Sequence, residues 1–135
     1  MQRILVVEDD FDIQELLQNF LQEAGYEVAT ANDGIEALSL FSGQRYDLII
    51  LDILLPKIDG YGVCELIRKQ SDVPIIMLTA LSGEEDQIRG LDLQVDDYIT
   101  KPFSMPILLR KIAAVLRRSK RGEDEKKKGR RHAVD

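Results

Sequence analysis

Apolar residues come in two patterns along this chain: short continuous runs, and stretches in which they recur every three or four positions. Ile4, Leu5, Val6 and Val7 form the first run, and Glu8, Asp9 and Asp10 follow it at once. Ile13, Leu16, Leu17, Phe20, Leu21 and Ala24 then fall at helical spacing and stop before Gly25, a residue suited to the position just past a helix. Residues 26–30 alternate like a more exposed strand, and Asn32, Asp33 and Gly34 turn the chain into a helix holding Ile35, Leu38 and Phe41. The central run, Leu48, Ile49, Ile50 and Leu51, ends in Asp52. Large apolar residues in unbroken succession suit a strand buried on both faces, as in a parallel sheet covered by helices.

A loop through Pro56, Asp59 and Gly60 leads to a helix with Val63, Leu66 and Ile67, and residues 74–79 form a fourth strand ending in Thr79. Glu84, Glu85 and Asp86 suit the positive end of the next helix. Its apolar face of Ile88, Leu91 and Leu93 is thin, so it should be the least firmly held. A fifth strand near 97–100 runs into Lys101, Pro102 and Phe103. Ser104 is an N-cap candidate, Pro106 is tolerated in a first helical turn, and Leu108, Leu109, Ile112, Val115 and Leu116 make the core stripe of a last helix. The periodicity is lost from Ser119 onward. Residues 1–118 therefore read as one domain, and 119–135 as a disordered charged tail or the start of an interdomain linker. Five βα units imply an α/β fold, a doubly wound parallel sheet with right-handed crossovers.

Charge narrows the partners. Residues 1–118 carry a net −9 and residues 119–135 a net +3, so the folded part is a poor binder of polyanions, whose phosphates need a basic surface. One cysteine, Cys64, excludes an internal disulfide framework, and no apolar stretch approaches the ~18 residues of a membrane span. No membrane association and a cytoplasmic location are the resulting expectations. Cys64 reads as a small hydrophobe on its helix, and His132, the sole histidine, as a solvated residue of the tail.

The chemistry lies at the strand ends. In open α/β sheets ligands bind in the crevice outside the carboxyl ends of the strands. Asp52 alone could be an ordinary turn-capping Asp. However, Glu8, Asp9 and Asp10 from the first strand, Thr79 from the fourth and Lys101 from the fifth converge on the same edge. Crowded carboxylates repel one another, and an oxygen-ligated divalent cation relieves this; Mg2+ fits best. A carboxylate beside a metal, a hydroxyl and a lysine is equipment for phosphoryl transfer onto an aspartate. Asp52 would be the nucleophile, Mg2+ and Lys101 would neutralise the phosphoryl oxygens, and Thr79 would donate a hydrogen bond to one of them.

The residues at 4–10, Asp52 with Pro56 and Asp59-Gly60 after it, Leu78-Thr79-Ala80, and 96–103 together resemble a response-regulator receiver domain, the CheY-like flavodoxin-like (βα)5 fold. The resemblance covers about residues 2–118. It implies a sheet order 2-1-3-4-5, phosphorylation of Asp52 by a sensor histidine kinase, and Mg2+ held by Asp9, Asp52 and the Leu54 backbone carbonyl, with Glu8 reaching it through water. It also implies a cis peptide between Lys101 and Pro102, and a switch in which Thr79 moves toward the phosphoryl group while Tyr98 turns inward. That switch remodels the face of the fourth helix, fifth strand and last helix and promotes a homodimer. Such a domain is no turnover enzyme, catalysing only its own phosphotransfer and dephosphorylation. The wording at 98–103 and the Arg117-Arg118 ending look most like receivers of winged-helix OmpR/PhoB-type transcription factors, with DNA reached only through a C-terminal domain missing here. A stand-alone single-domain regulator acting through protein contacts is the alternative.

Several positions depart from the family pattern. Gln94-Val95 replaces the usual Gly-Ala before Asp96, so Gln94 must adopt a geometry that glycine takes more easily. Gln87 and Ile107 stand where that subfamily often pairs Arg with Glu across a dimer, leaving Asp97 and Lys111 for another pair. Leu54 and Leu81 occupy the places best suited to orient a hydrolytic water, which implies a long-lived phosphoryl group. A haloacid-dehalogenase-type phosphohydrolase would need a second Asp at position 54, where Leu stands. A nucleotide-binding domain would want a glycine-rich turn at 8–12, where the chain is acidic.

Overall fold

In a computed structural model, which describes residues 1–80, 89 and 92–134 and no side chains beyond 120, the apolar runs become five parallel strands. β1 (Arg3–Val7), β2 (Glu27–Ala31), β3 (Leu48–Asp52), β4 (Ile75–Thr79) and β5 (Asp97–Thr100) lie side by side in the order β2-β1-β3-β4-β5. The doubly wound fold agrees with the hydrophobic pattern, and the strand order with the family resemblance. Between the strands run α1 (Phe11–Glu23), α2 (Gly34–Gly43) and α3 (Gly60–Arg68), and α4 (Met105–Val134) follows β5. Of the helix expected over 84–93 only residues 89, 92 and 93 are described; Gln87, Ile88 and Leu91 lie outside the described residues, as does Leu81.

Strand alternation sorts the core into two layers. Leu5, Val7, Ile49, Leu51, Ile75 and Met77 face α2 and α3, packing with Ala37, Val63, Cys64 and Ile67. Ile4, Val6, Leu48, Ile50, Ile76 and Leu78 face α1 and α4, packing with Leu17, Leu21, Leu108, Ile112 and Val115. Cys64 is buried and its thiol is pushed up by that burial, as befits a small core hydrophobe.

Side-chain caps fix where each helix begins. Asp10 accepts from Asp12 and Ile13 N–H, Asp33 from Glu36 N–H, and Asp59 from Gly62 N–H, each satisfying donors that have no partner inside the helix. Ser104 accepts from Ile107 N–H at 3.4 Å, in line with its expected role. The backbone of the last helix runs on through Val134, past the point at which apolar periodicity is lost. Glu123, Asp124 and Glu125 stand three or four positions before Lys126, Lys127 and Lys128, the order in which opposite charges favour a helix. Loss of apolar periodicity therefore does not mark the end of the helix.

Arg68 secures the edge of the sheet opposite the carboxylates. Its guanidinium donates to the carbonyls of Val73 at 2.7 Å, Gln94 at 2.9 Å and Leu93 at 3.2 Å, and to Ser71 O at 3.4 Å. Asp96 lies 3.6 Å away and also accepts from Ile75 N–H at 2.8 Å. One planar fork thus ties the α3–β4 connection to the strand entering β5. Gln94, just before that strand, holds φ 59°, the left-handed geometry expected of it. We expect Arg68→Ala to lower stability by about 2 kcal/mol, the scale of hydrogen bonds to a charged donor, and Arg68→Lys to restore little because an ammonium lacks the fork. Urea unfolding measures both; a full rescue by Lys would show that charge alone matters.

Candidate functional site

β1, β3 and β4 each contribute the polar residue standing just past the last apolar one, Glu8, Asp52 and Thr79, and the chain leaving β5 contributes Lys101. Glu8, Asp52 and Lys101 share the alternation of the α1 and α4 layer, so their side chains lean to one side of the sheet and meet there. Lys101 Nζ donates to Asp52 Oδ2 at 2.8 Å and to Glu8 Oε1 and Oε2 at 3.0 and 3.1 Å. Glu8 and Asp52 are buried, and Lys101 is nearly so. Burial first, and the neighbouring Asp52 carboxylate second, push Glu8 up to about 8, with Lys101 opposing them. Lys101 in turn is raised by its two carboxylate partners, which outweigh its own burial.

Asp9 is exposed beside this pair, and one carboxylate oxygen from each of Glu8, Asp9 and Asp52 falls within 4.8 Å of the others. An all-oxygen donor set of this size suits a hard divalent cation. The sequence reading assigns Lys101 to the phosphoryl oxygens and Glu8 to a water; the structure adds that the two are ion-paired with each other. Thr79 is buried on β4 between Asp52 and Lys101, and its carbonyl accepts from Lys101 N–H at 2.7 Å. Tyr98 is half-buried against the α2 and α3 layer, so it and Thr79 share the face opposite to the ion pair. Asp97 and Lys111, expected to be left for a dimer contact, pair within the chain at 3.1 Å. The Lys101–Pro102 peptide is cis, as the resemblance implies.

The loop after Asp52 is held from two directions. Leu54 N–H donates to Asp52 Oδ1 at 3.1 Å, while the Leu54 side chain is 56% exposed. Lys57, at φ 70°, pairs with Asp33 at 3.2 Å and so leans the loop on the start of α2. Gly60 N–H donates to Ile53 O at 2.8 Å.

Sequence reasoning missed Gln14. Its Nε2 donates to Glu8 O at 2.9 Å and Asn32 Oδ1 at 3.0 Å, with Ala31 O at 3.3 Å. The signal was present: Gln14 stands three and seven residues before Leu17 and Leu21, a polar residue on the core stripe of α1. Among the described residues no buried side-chain nitrogen or oxygen lacks a partner.

A family model described as the response regulator receiver domain matches residues 4–113. The probable transcriptional regulator ycf27 of Guillardia theta is 54% identical over 118 residues, covering 87% of this chain and 46% of that protein. The regulatory protein VanRB of Enterococcus faecalis is 51% identical over 117 residues, covering 87% of this chain and 53% of its own length. The chain thus spans about half the length of these curated relatives. Among solved structures, the response regulator protein TrrA of Thermotoga maritima, in complex with Mg2+ and BeF, superposes with a TM-score of 0.77 at 44% identity, covering 85% of this chain and 99% of that one. Among the described residues no helix is long and apolar enough to cross a membrane.

The backbone behind Asp52 leaves no room for a side chain at residue 60. A Cβ on Gly60 would overlap the Asp52 carbonyl oxygen and lie 2.6 Å from Ile53 Cα, whereas one on Gly43 would meet nothing within 4 Å. Gly60→Ala should therefore cost about 2 kcal/mol, the scale of an overpacked core. Gly43→Ala should be neutral or stabilising by up to about 1 kcal/mol through reduced chain entropy. Denaturant midpoints compare the two; equal midpoints would contradict the close approach.

Proposed function

The chain belongs to the response regulator receiver domains of two-component systems, and on that premise we propose that it is a phosphoacceptor that takes a phosphoryl group onto Asp52 from a sensor histidine kinase. The observation that carries this reading is the buried Asp52 carboxylate, held at Oδ2 by Lys101 and set beside Glu8, Asp9 and Thr79. An Asp52 oxygen attacks phosphorus, the bond from phosphorus to the kinase imidazole nitrogen breaks, and its electron pair returns to the imidazole. Lys101 orients the Asp52 carboxylate for the attack and then faces the incoming phosphoryl oxygens. The Thr79 hydroxyl donates to one of them.

Asp9, Asp52 and the Leu54 carbonyl would hold Mg2+, with Glu8 reaching it through water, and the oxygen-rich trio of carboxylates fits that ion. When bound, Mg2+ supplies neutralisation of charge building on the phosphoryl oxygens. Acetyl phosphate with Mg2+ should add one phosphoryl group to the chain. Asp52→Asn, lacking the charged nucleophile, and Asp9→Ala, lacking a ligand, should prevent it. Equal incorporation into Asp52→Asn by intact-mass spectrometry would overturn the assignment.

Engagement of Thr79 by the phosphoryl group would draw it across β4 and let Tyr98, already half-buried on the same face, turn further inward. The exposed Ile107 and the internal Asp97–Lys111 pair on that side of the molecule favour a dimer strengthened only modestly. Sedimentation velocity with and without beryllofluoride should show it; identical monomer profiles at high concentration would remove the dimer from the proposal. By similarity to relatives about twice as long and named as regulators, the output is control of a DNA-binding domain outside this chain.

The phosphoryl group should be long-lived. An in-line water needs a polar side chain to orient it, and Leu54 offers none. Leu54→Asn should shorten the lifetime by about tenfold, corresponding to about 1.4 kcal/mol of barrier. An unchanged decay of purified phosphoprotein in Mg2+ buffer would mean that Lys101 and the metal already set the rate.

A further inference from the structure

The end of β1 poses a problem that the backbone does not solve. In the β1–β2 ladder Val7 pairs with Ala31, and the last rung is Glu8 N–H donating to Ala31 O at 3.1 Å. The Glu8 carbonyl would need a further N–H from β2, but the chain has already turned: Asp33 is the N-cap of α2. Gln14 supplies the missing donor from α1, at 2.9 Å, and bridges to the Ala31 carbonyl of the rung below. Its amide is itself held by Asn32 Oδ1, and Asn32 donates through Nδ2 to Glu36 Oε2 at 3.3 Å.

The consequence falls on Asp9. On one side, the Glu8–Asp9 peptide is fixed through its carbonyl by Gln14, and the Glu8 carboxylate is fixed by Lys101 and by Asp10 N–H at 3.2 Å. On the other, Asp10 is locked as the cap of α1 and its carbonyl accepts from Gln14 N–H at 2.9 Å. Gln14 therefore grips both flanks of the exposed carboxylate, by its side chain and by its backbone. We propose that Gln14 is a positioning residue for cation binding: its amide extends the β1–β2 ladder by one rung and thereby aims Asp9 at Asp52. The inference rests on the reading of Glu8, Asp9 and Asp52 as a metal site. Gln14 touches neither metal nor phosphoryl group.

Groups that orient ligands from outside commonly change metal affinity by about 10–100-fold when removed. Gln14→Met keeps the length and the helix propensity while deleting both N–H donors. Binding of Mn2+ alone to the 135-residue chain, followed by the loss of the free-ion electron paramagnetic resonance signal at a temperature where circular dichroism shows every variant folded, separates positioning from stability. The expected result is that Gln14→Met binds Mn2+ about tenfold more weakly, whereas Leu17→Ala, which opens the core beneath the same helix, melts earlier and binds as the unsubstituted chain does. Equal affinity in Gln14→Met, or equal weakening in Leu17→Ala, overturns the inference and leaves the metal site standing. No binding by the unsubstituted chain overturns the metal-site reading and this inference with it. Should Gln14→Met fail to fold, Asn32→Ala removes only the outer anchor of the amide: weaker binding supports the role and unchanged binding overturns it.

Discussion

One ammonium group holds this edge of the molecule together. Lys101 comes from the loop after β5, yet its partners Asp52 and Glu8 stand on β3 and β1, with β4 between. At the usual strand spacing, β5 is about 10 Å from β3, so the cation has to cross a whole strand tip to reach them. A long unbranched stem ending in a compact charge meets that requirement, and burying an apolar stem costs little. Two buried carboxylates face one lysine, and burial first, with the crowding of Asp52 second, pushes Glu8 up to about 8. Removing one member of a buried ionic group commonly costs about 3–5 kcal/mol because the remaining charge is stranded.

Much of the architecture is legible in the sequence because burial on both faces leaves an unmistakable mark. The run from Leu48 to Leu51 identifies a covered strand by composition alone, and once that strand is placed the crevice rule locates Asp52. Interactions made by side chains whose partners are backbone atoms are not legible in the same way. Arg68 and Gln14 bind carbonyls, and a carbonyl belongs to every residue alike, so no sequence pattern announces the match. The pairing of Lys101 with Glu8 is hidden for a different reason: the chemistry of phosphoryl transfer assigns each of them a role toward a ligand, and the sequence does not show that they also meet each other. At the other end, the charged stretch after Ser119 carries no mark of burial, whereas helix formation there needs only favourable propensity and charge order.

Pleating divides the labour of the sheet. Glu8, Asp52 and Lys101 fall on the α1 and α4 side, while Thr79 and Tyr98 fall on the α2 and α3 side. Chemistry and response to it are thus carried by opposite parities of the same strands. Thr79 stands at the boundary, in register with Thr100 and one residue past the pair that joins Asp52 to Leu78.

That division sets which kinds of genetic change the domain can absorb. Point substitutions in β3 or β4 alter one contact at a time and leave parity untouched. A single-codon deletion within β4 would shift every later residue of the strand to the opposite face, presenting Ala80 where the hydroxyl belongs and burying that hydroxyl among aliphatics. Homologous chains should therefore vary freely in strand composition but scarcely at all in strand length between the last apolar residue and the polar one that follows. Insertions should gather instead in the loops at the opposite edge, where Arg68 grips main-chain atoms and is indifferent to the side chains they carry.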